Sequence, residues 1–232
     1  MQSRQADETW RILYERQLPR VRQWACREYL DGLELLRLPA DRVPSLSYLN
    51  DRIEPLTGWK TVRTAVRYTD AVPWYGHFAR REFLVTDYMR DMQELDFTPE
   101  PDMFHDIFGH LPFFMNPAYA QLQELFAPAF LCADRREREN IKRLAWFSTE
   151  FGVKNESGRR TAFGAGLISG ADELLSMVEG RTRVCPFRVE SVLRYDKAVW
   201  SHNRVLFEFP SLEALKRELT QYLDTIGSLR TG

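Results

Sequence analysis

His105 and His110 fall five residues apart in Pro99-Glu-Pro-Asp-Met-Phe-His-Asp-Ile-Phe-Gly-His-Leu-Pro112, and Glu150 follows forty residues later in Trp146-Phe-Ser-Thr-Glu-Phe-Gly152. Two imidazoles and a carboxylate among apolar neighbours are the donor set of a non-haem iron(II) site, which keeps one face of an octahedron open for oxygen and a co-substrate. A fold that uses this set must bring two distant segments to one point. At about 100° per residue, positions five apart lie roughly 140° apart around a regular helix. Both can reach one ion if the helix ends between them, and Gly109 and Pro112 are suited to ending it. Taken alone the spacing is weak, because His-x4-His is more often two unrelated histidines.

The surroundings strengthen it. Two of the chain's four histidines sit here, and Glu100, Asp102 and Asp106 supply carboxylates able to fix imidazole tautomers. Glu150 stands among Trp146, Phe147 and Phe151, where an unpaired carboxylate is costly. A metal answers that cost, and a salt bridge to an arginine is the alternative. A zinc hydrolase is disfavoured because no His-Glu-x-x-His pattern is present.

A chain of 232 residues makes one domain, large enough for a core with a cavity in it. With 32 basic against 33 acidic residues, nothing favours nucleic acid or an anionic membrane as partner. No apolar run approaches the roughly 20 residues of a membrane span. The first residues hold no apolar stretch of the secretory kind. Cys26, Cys132 and Cys185 are scattered, which argues against a zinc knuckle or a disulfide framework and for reduced thiols in the cytoplasm.

Apolar spacing predicts helix over Thr9 to Leu36, with a break at Pro19, and a short helix from Pro44 to Pro55. A strand is expected within Thr57 to Val66, a helix from Pro73 to about Glu82, and extended chain to Thr86. Pro101 opens the helix that carries the histidines, and Arg135 to Phe151 reads as one continuous helix. Arg159 to Gly166 reads as extended, Ala171 to Glu179 as helix and Leu206 to Phe209 as strand. Ser211 caps a closing helix to about Leu229. The sum is an α+β fold, predominantly α, with a few short strands around a central iron cavity.

The two metal-bearing blocks and a third, Phe163-Gly-Ala-Gly-Leu-Ile-Ser169, resemble the pterin-dependent aromatic amino acid hydroxylases in order and spacing. Similarity continues through Thr57-Gly-Trp59 back to the Trp10 region, so it covers nearly the whole chain. The resemblance implies iron ligation by His105, His110 and Glu150. It implies an Arg90 fork for an amino acid carboxylate, oriented by Asp102, with Thr98 and Ser169 near the bound amino acid. Pro101, Trp146 and Phe151 would wall the aromatic pocket, Trp74 or Tyr75 would stack on the pterin, and Asp106 would lie beside it. Outside the resemblance, Arg90 reads as any solvated arginine.

The implied activity is hydroxylation of the ring of Phe, Tyr or Trp with Fe(2+), O₂ and a tetrahydropterin. Residues 1–232 would be a single catalytic domain, without a regulatory domain or a long C-terminal tetramerisation helix, and hence a monomer or small homo-oligomer. The chain departs from the family on the pterin side. Arg67 and Tyr68 stand in a loop that is usually small and apolar, Leu84 replaces a pterin-contacting histidine, and Ala145 replaces an aromatic. An iron oxygenase with another reductant or a non-amino-acid substrate is the alternative this suggests. A non-catalytic binding protein is a weaker one, since all three ligand positions are kept.

Overall fold

The structure is a computed structural model that describes residues 4–95, 101–199 and 201–228. Helix α1 (Arg4–Trp24) runs straight through Pro19, contrary to the expected break. The interruption falls six residues later. There Ala25 bridges Ala162, and Cys26 N–H donates to the Ala162 carbonyl at 2.9 Å, so a tertiary bond draws the backbone out of the helix. Helix α2 (Arg27–Leu36) resumes at once, and α3 (Leu46–Thr57) starts where Ser45 Oγ accepts from Tyr48 N–H at 3.2 Å.

Strand β1 (Lys60–Thr64), helix α4 (Ala71–Phe78) and strand β2 (Glu82–Thr86) form a right-sized crossover unit. The two strands pair in parallel, Lys60 opposite Glu82 through Thr64 opposite Thr86. Helices α5 (Pro117–Glu124), α6 (Phe126–Cys132) and α7 (Arg135–Ala145) follow the histidines. Asp134 and Glu137 close a reciprocal capping box at the start of α7.

Strands β3 (Gly152–Glu156) and β4 (Arg159–Ala162) form an antiparallel pair. The extended reading of Arg159 to Gly166 is corrected at its end, because α8 (Ala165–Ser169) has begun by then. Then come α9 (Ala171–Val178), β5 (Arg183–Pro186), α10 (Val189–Val192), β6 (Val205–Phe209) and α11 (Leu212–Ser228). Their four-stranded sheet has the order β4-β3-β6-β5, with β6 parallel to both neighbours. Helix dominates and the strands are short, as the apolar periodicity predicts.

The histidine segment holds the main correction. Its helix does not end between His105 and His110. It widens into a π-helical turn over His105–His110, followed by a 3-10 turn at Leu111–Met115. A π turn closes i→i+5 bonds, so residues five apart come onto one face. The expected continuous helix to Phe151 also changes form, with a second π turn at Trp146–Glu150 in which Phe151 N–H donates to the Trp146 carbonyl at 2.9 Å.

Aromatic packing holds these turns from behind. Phe104 and Phe108 stack at 4.7 Å, Trp10 meets Phe104 edge-on at 5.4 Å, and Tyr14 meets Phe108 at 5.5 Å. The Tyr29 hydroxyl donates to the Phe108 carbonyl at 2.8 Å. Trp10, Tyr29, Phe104 and Phe108 are fully buried, so the histidines ride on a buried aromatic cluster of the core.

Candidate metal centre and its cavity

The two π turns meet. His110 Nε2 lies 3.0 Å from His105 Nε2 and 3.1 Å from Glu150 Oε1, and His105 Nε2 lies 3.5 Å from Glu150 Oε2. Donor atoms about 2.1 Å from a shared ion and at right angles to each other stand about 3.0 Å apart. The N, N, O set therefore fits one octahedral face of a divalent iron, with the three donor atoms within 4.8 Å of one another.

Outer contacts prepare this set. Ser169 Oγ donates to the Ala165 carbonyl at 2.9 Å, which leaves it to accept from His105 Nδ1–H at 2.8 Å. The proton thus sits on Nδ1 and the Nε2 lone pair faces the other ligands. Burial first, then the charge of His110, depresses the His105 pKa to about 4, so its imidazole is neutral. Burial pushes the Glu150 carboxyl up, but the His110 charge and hydrogen bond outweigh it and bring the value down to about 2. His110 is raised by the same pairing against its own burial, and its buried Nδ1 has no hydrogen-bond partner. The charge it shares with Glu150 is one a metal ion would replace.

The third sequence block explains itself at this point. A Cβ on Gly164 would lie 2.2 Å from the Glu150 carbonyl oxygen, and one on Gly166 would lie 2.5 Å from the Phe151 ring. Only glycine lets this segment pass so close behind Glu150.

Above the three candidate ligands opens a cavity of about 330 Å³. Arg90 is 6% exposed and lines it. Its Nε and Nη2 donate to the two oxygens of fully buried Asp102 at 2.7 and 2.9 Å, and the same carboxylate accepts from His105 N–H at 3.0 Å. One aspartate therefore couples the arginine to the first histidine. Burial alone would raise the Asp102 pKa, but the Arg90 contacts hold it below the usual carboxylate value.

Pro101, Trp146, Phe151 and Ser169 all line the cavity, with the Trp146 and Phe151 rings 4.6 Å apart. Trp74 and Asp106 line it too. Trp74 packs on Phe78 and Phe83, and Asp106 accepts from Thr86 N–H at 2.8 Å, its pKa pushed up by burial to about 7. Thr98 lies outside the described residues. Arg67, Tyr68, Leu84 and Ala145 all reach the cavity wall. The Arg67 guanidinium sits 3.7 Å above the Tyr88 ring.

Some wall residues carried no sequence signal. Trp146 Nε1 donates to Asn203 Oδ1 at 2.9 Å, and Asn203 is tied to Glu173, from elements far along the chain. Tyr75, by contrast, was open to sequence reasoning; it lines the cavity while stacking on Phe130 at 4.1 Å. It is the alternative to Trp74 that the resemblance allows for the pterin stack, and both rings line the cavity.

The sequence profile described as biopterin-dependent aromatic amino acid hydroxylase matches residues 2–229. The chain belongs to this family. The phenylalanine-4-hydroxylase of Mesorhizobium japonicum is 38% identical over 214 residues, which span 89% of this chain and 76% of that relative. A tyrosine 3-monooxygenase of Schistosoma mansoni is 30% identical over 226 residues, 95% of this chain and 48% of that protein. Among solved structures, the apo phenylalanine hydroxylase of Colwellia psychrerythraea superposes with a TM-score of 0.92 at 27% identity, covering 99% of this chain and 88% of that one. The Chromobacterium violaceum phenylalanine hydroxylase with bound iron(III) and 7,8-dihydrobiopterin gives 0.90 at 30% identity, covering 98% and 84%. This hydroxylase is accordingly a non-haem iron monooxygenase of an aromatic amino acid that uses O₂ and a tetrahydropterin. No helix among its described residues is long and apolar enough to cross a membrane.

Proposed function

We propose that His105, His110 and Glu150 hold the iron of this hydroxylase and that Arg90, oriented by Asp102, binds the carboxylate of the amino acid substrate. The observation that carries the reading is the convergence of the three donor atoms beneath a cavity that also contains a buried, pre-oriented arginine. Bound iron(II) and tetrahydropterin supply the reduction of O₂ to an oxidant of the aromatic ring. The protein's part is placement. The Arg90 fork fixes one end of the substrate, and Trp146, Phe151 and Pro101 confine the ring so that one carbon faces the ligand set. Phenylalanine is the first candidate, since that activity is named for the relatives most often, and tyrosine and tryptophan remain in the test.

Thr98 and Ser169 are assigned to the neighbourhood of the amino acid, and Trp74 and Asp106 to the pterin. Trp74 and Asp106 share the wall with Arg67, Tyr68 and Leu84, so the pterin meets a contact set different from the family's usual one. A monomer or small homo-oligomer in the cytoplasm completes the reading, and the free thiols of Cys26, Cys132 and Cys185 agree with a reducing compartment. The test is anaerobic iron(II) reconstitution, then O₂ with each aromatic amino acid, with and without tetrahydropterin. Mass spectrometry should show one hydroxylated amino acid only when the pterin is present. Hydroxylation of none of the three would reject the substrate assignment.

A further inference from the structure

Among the described residues, three acidic ones line the cavity: Asp106, Glu150 and Glu173. Glu150 is turned to the two imidazoles, and Asp106 accepts from Thr86 N–H. Glu173 has neither engagement. It stands in the first turn of α9, four residues after Ser169. Its Oε1 accepts from Asn203 N–H at 2.9 Å and from Asn203 Nδ2 at 3.1 Å, whereas Oε2 is buried without a hydrogen-bond partner. A buried acceptor with no donor is a deficit that a ligand's donor can fill.

The ligand is an amino acid, and an amino acid is a zwitterion. Its carboxylate matches Arg90 on the same cavity, which leaves an α-ammonium needing a carboxylate acceptor. With Glu150 and Asp106 committed, Glu173 is the remaining acidic group among the described residues of the wall. We propose that Glu173 Oε2 accepts the substrate's α-ammonium, so that the cavity selects α-amino acids over their deaminated analogues. This rests on the reading that Arg90 takes the carboxylate. Anchoring of Oε1 sets the direction in which Oε2 is offered. Asn203 also accepts from Trp146 Nε1 at 2.9 Å, so the group that meets the ammonium is tied to the side chain assigned to the ring wall. Burial, opposed by the Asn203 contacts and His202, holds the Glu173 carboxyl above the ordinary value, and an incoming ammonium restores its charge.

The test is binding, read by anaerobic calorimetry on the iron(II)-loaded protein. Each aromatic L-amino acid is compared with its propionate: 3-phenylpropionate, 3-(4-hydroxyphenyl)propionate or 3-(indol-3-yl)propionate. The parent protein should prefer the amino acid by about ten- to a hundredfold, the range of one charge-assisted hydrogen bond. Glu173→Gln, which keeps the Asn203 geometry, should lower amino acid affinity by about tenfold and leave propionate affinity within about twofold. Glu173→Asp should regain part of the preference, since it restores the charge. Should Glu173→Gln keep the parent's preference, or weaken both ligands equally, the ammonium assignment falls while Arg90-dependent binding of either ligand preserves the substrate reading. If no aromatic amino acid binds, or Arg90→Ala changes nothing, the substrate reading itself fails.

Discussion

Replacing Ser169 by Ala separates two roles that one hydroxyl could play. Ser169 Oγ lies 2.8 Å from His105 Nδ1 and donates to the Ala165 carbonyl at 2.9 Å, in a setting only 8% exposed. Without it, Nδ1–H either stays buried without an acceptor or gives way to the other tautomer, whose proton occupies the Nε2 lone pair. Leaving a buried donor unsatisfied costs about 1 to 3 kcal/mol, and each 1.4 kcal/mol or so is a factor of ten. Iron(II) affinity should therefore fall about ten- to a hundredfold, the same range found when an imidazole ligand loses its outer partner. The fold should persist, because the α8 backbone bonds, such as Ile168 N–H to the Gly164 carbonyl at 3.0 Å, do not involve the hydroxyl. Anaerobic titration with cobalt(II), whose visible bands report coordination, measures the change against a competing chelator. If metal affinity is unchanged and amino acid affinity falls instead, the hydroxyl serves the substrate and the tautomer argument is refuted.

Substituting Ala for His105, His110 or Glu150 should abolish turnover and sharply lower iron content in a folded protein, and a His110→Ala enzyme with full iron and activity would remove the site. Arg90→Ala should weaken substrate use by at least about tenfold, with Arg90→Lys only a partial rescue, since an ammonium cannot form the fork; steady-state kinetics with unchanged KM would reject the role. Trp74→Ala should cost the pterin on the order of 1 kcal/mol of stacking, a rise of about fivefold in its apparent KM, and an unchanged KM would move the pterin elsewhere. Lys154 binds Glu28 at 2.6 Å and Glu156 at 2.9 Å, and although burial opposes it, the Lys154 contact holds Glu156 below the usual carboxylate value. That lowered value contributes stability above the unfolded pKa and loses it as pH falls through the folded one, so Lys154→Met should flatten the acid limb of a melting-temperature profile. An unaltered acid limb would show that the cluster carries no linkage.

How far the site could be read in advance differed from residue to residue, for physical reasons. The proposed ligand set was legible because few side-chain types bind iron, and His105, His110 and Glu150 are set in apolar sequence. Arg90 and Asp102 were legible only by resemblance, since one arginine looks like another until a buried carboxylate is seen to grip it at 2.7 Å. Asn203 and Glu173 were not legible. Asn203, in the chain before β6, reaches Trp146 and joins it to Glu173 on α9, and nothing local marks a residue for a partner so far along the chain. The helices α1, α7 and α11 follow from their apolar spacing. The passage of α1 through Pro19 and its break at Ala25 do not, because the break belongs to the Cys26–Ala162 bond.

The π turns show why the ligand list outran the geometry. A five-residue spacing is wrong for an α-helical face, so the sequence demands a departure but does not say which one. Ending the helix at Gly109 and widening it both satisfy the demand. Packing decides between them. A Cβ at Gly109 would lie 2.9 Å from the Ala165 carbonyl, so this glycine serves close approach to α8 rather than termination. The same approach places Ser169 against His105. On the other side, Gly164 passes behind Glu150, and the second π turn delivers the carboxylate at the moment the chain enters β3. Each π turn alone gives up regular helical bonding. Buried against the same glycine-bearing α8 segment, with Phe104, Phe108 and Phe147 packed behind, they are held in register to present three donors that neither turn could assemble by itself.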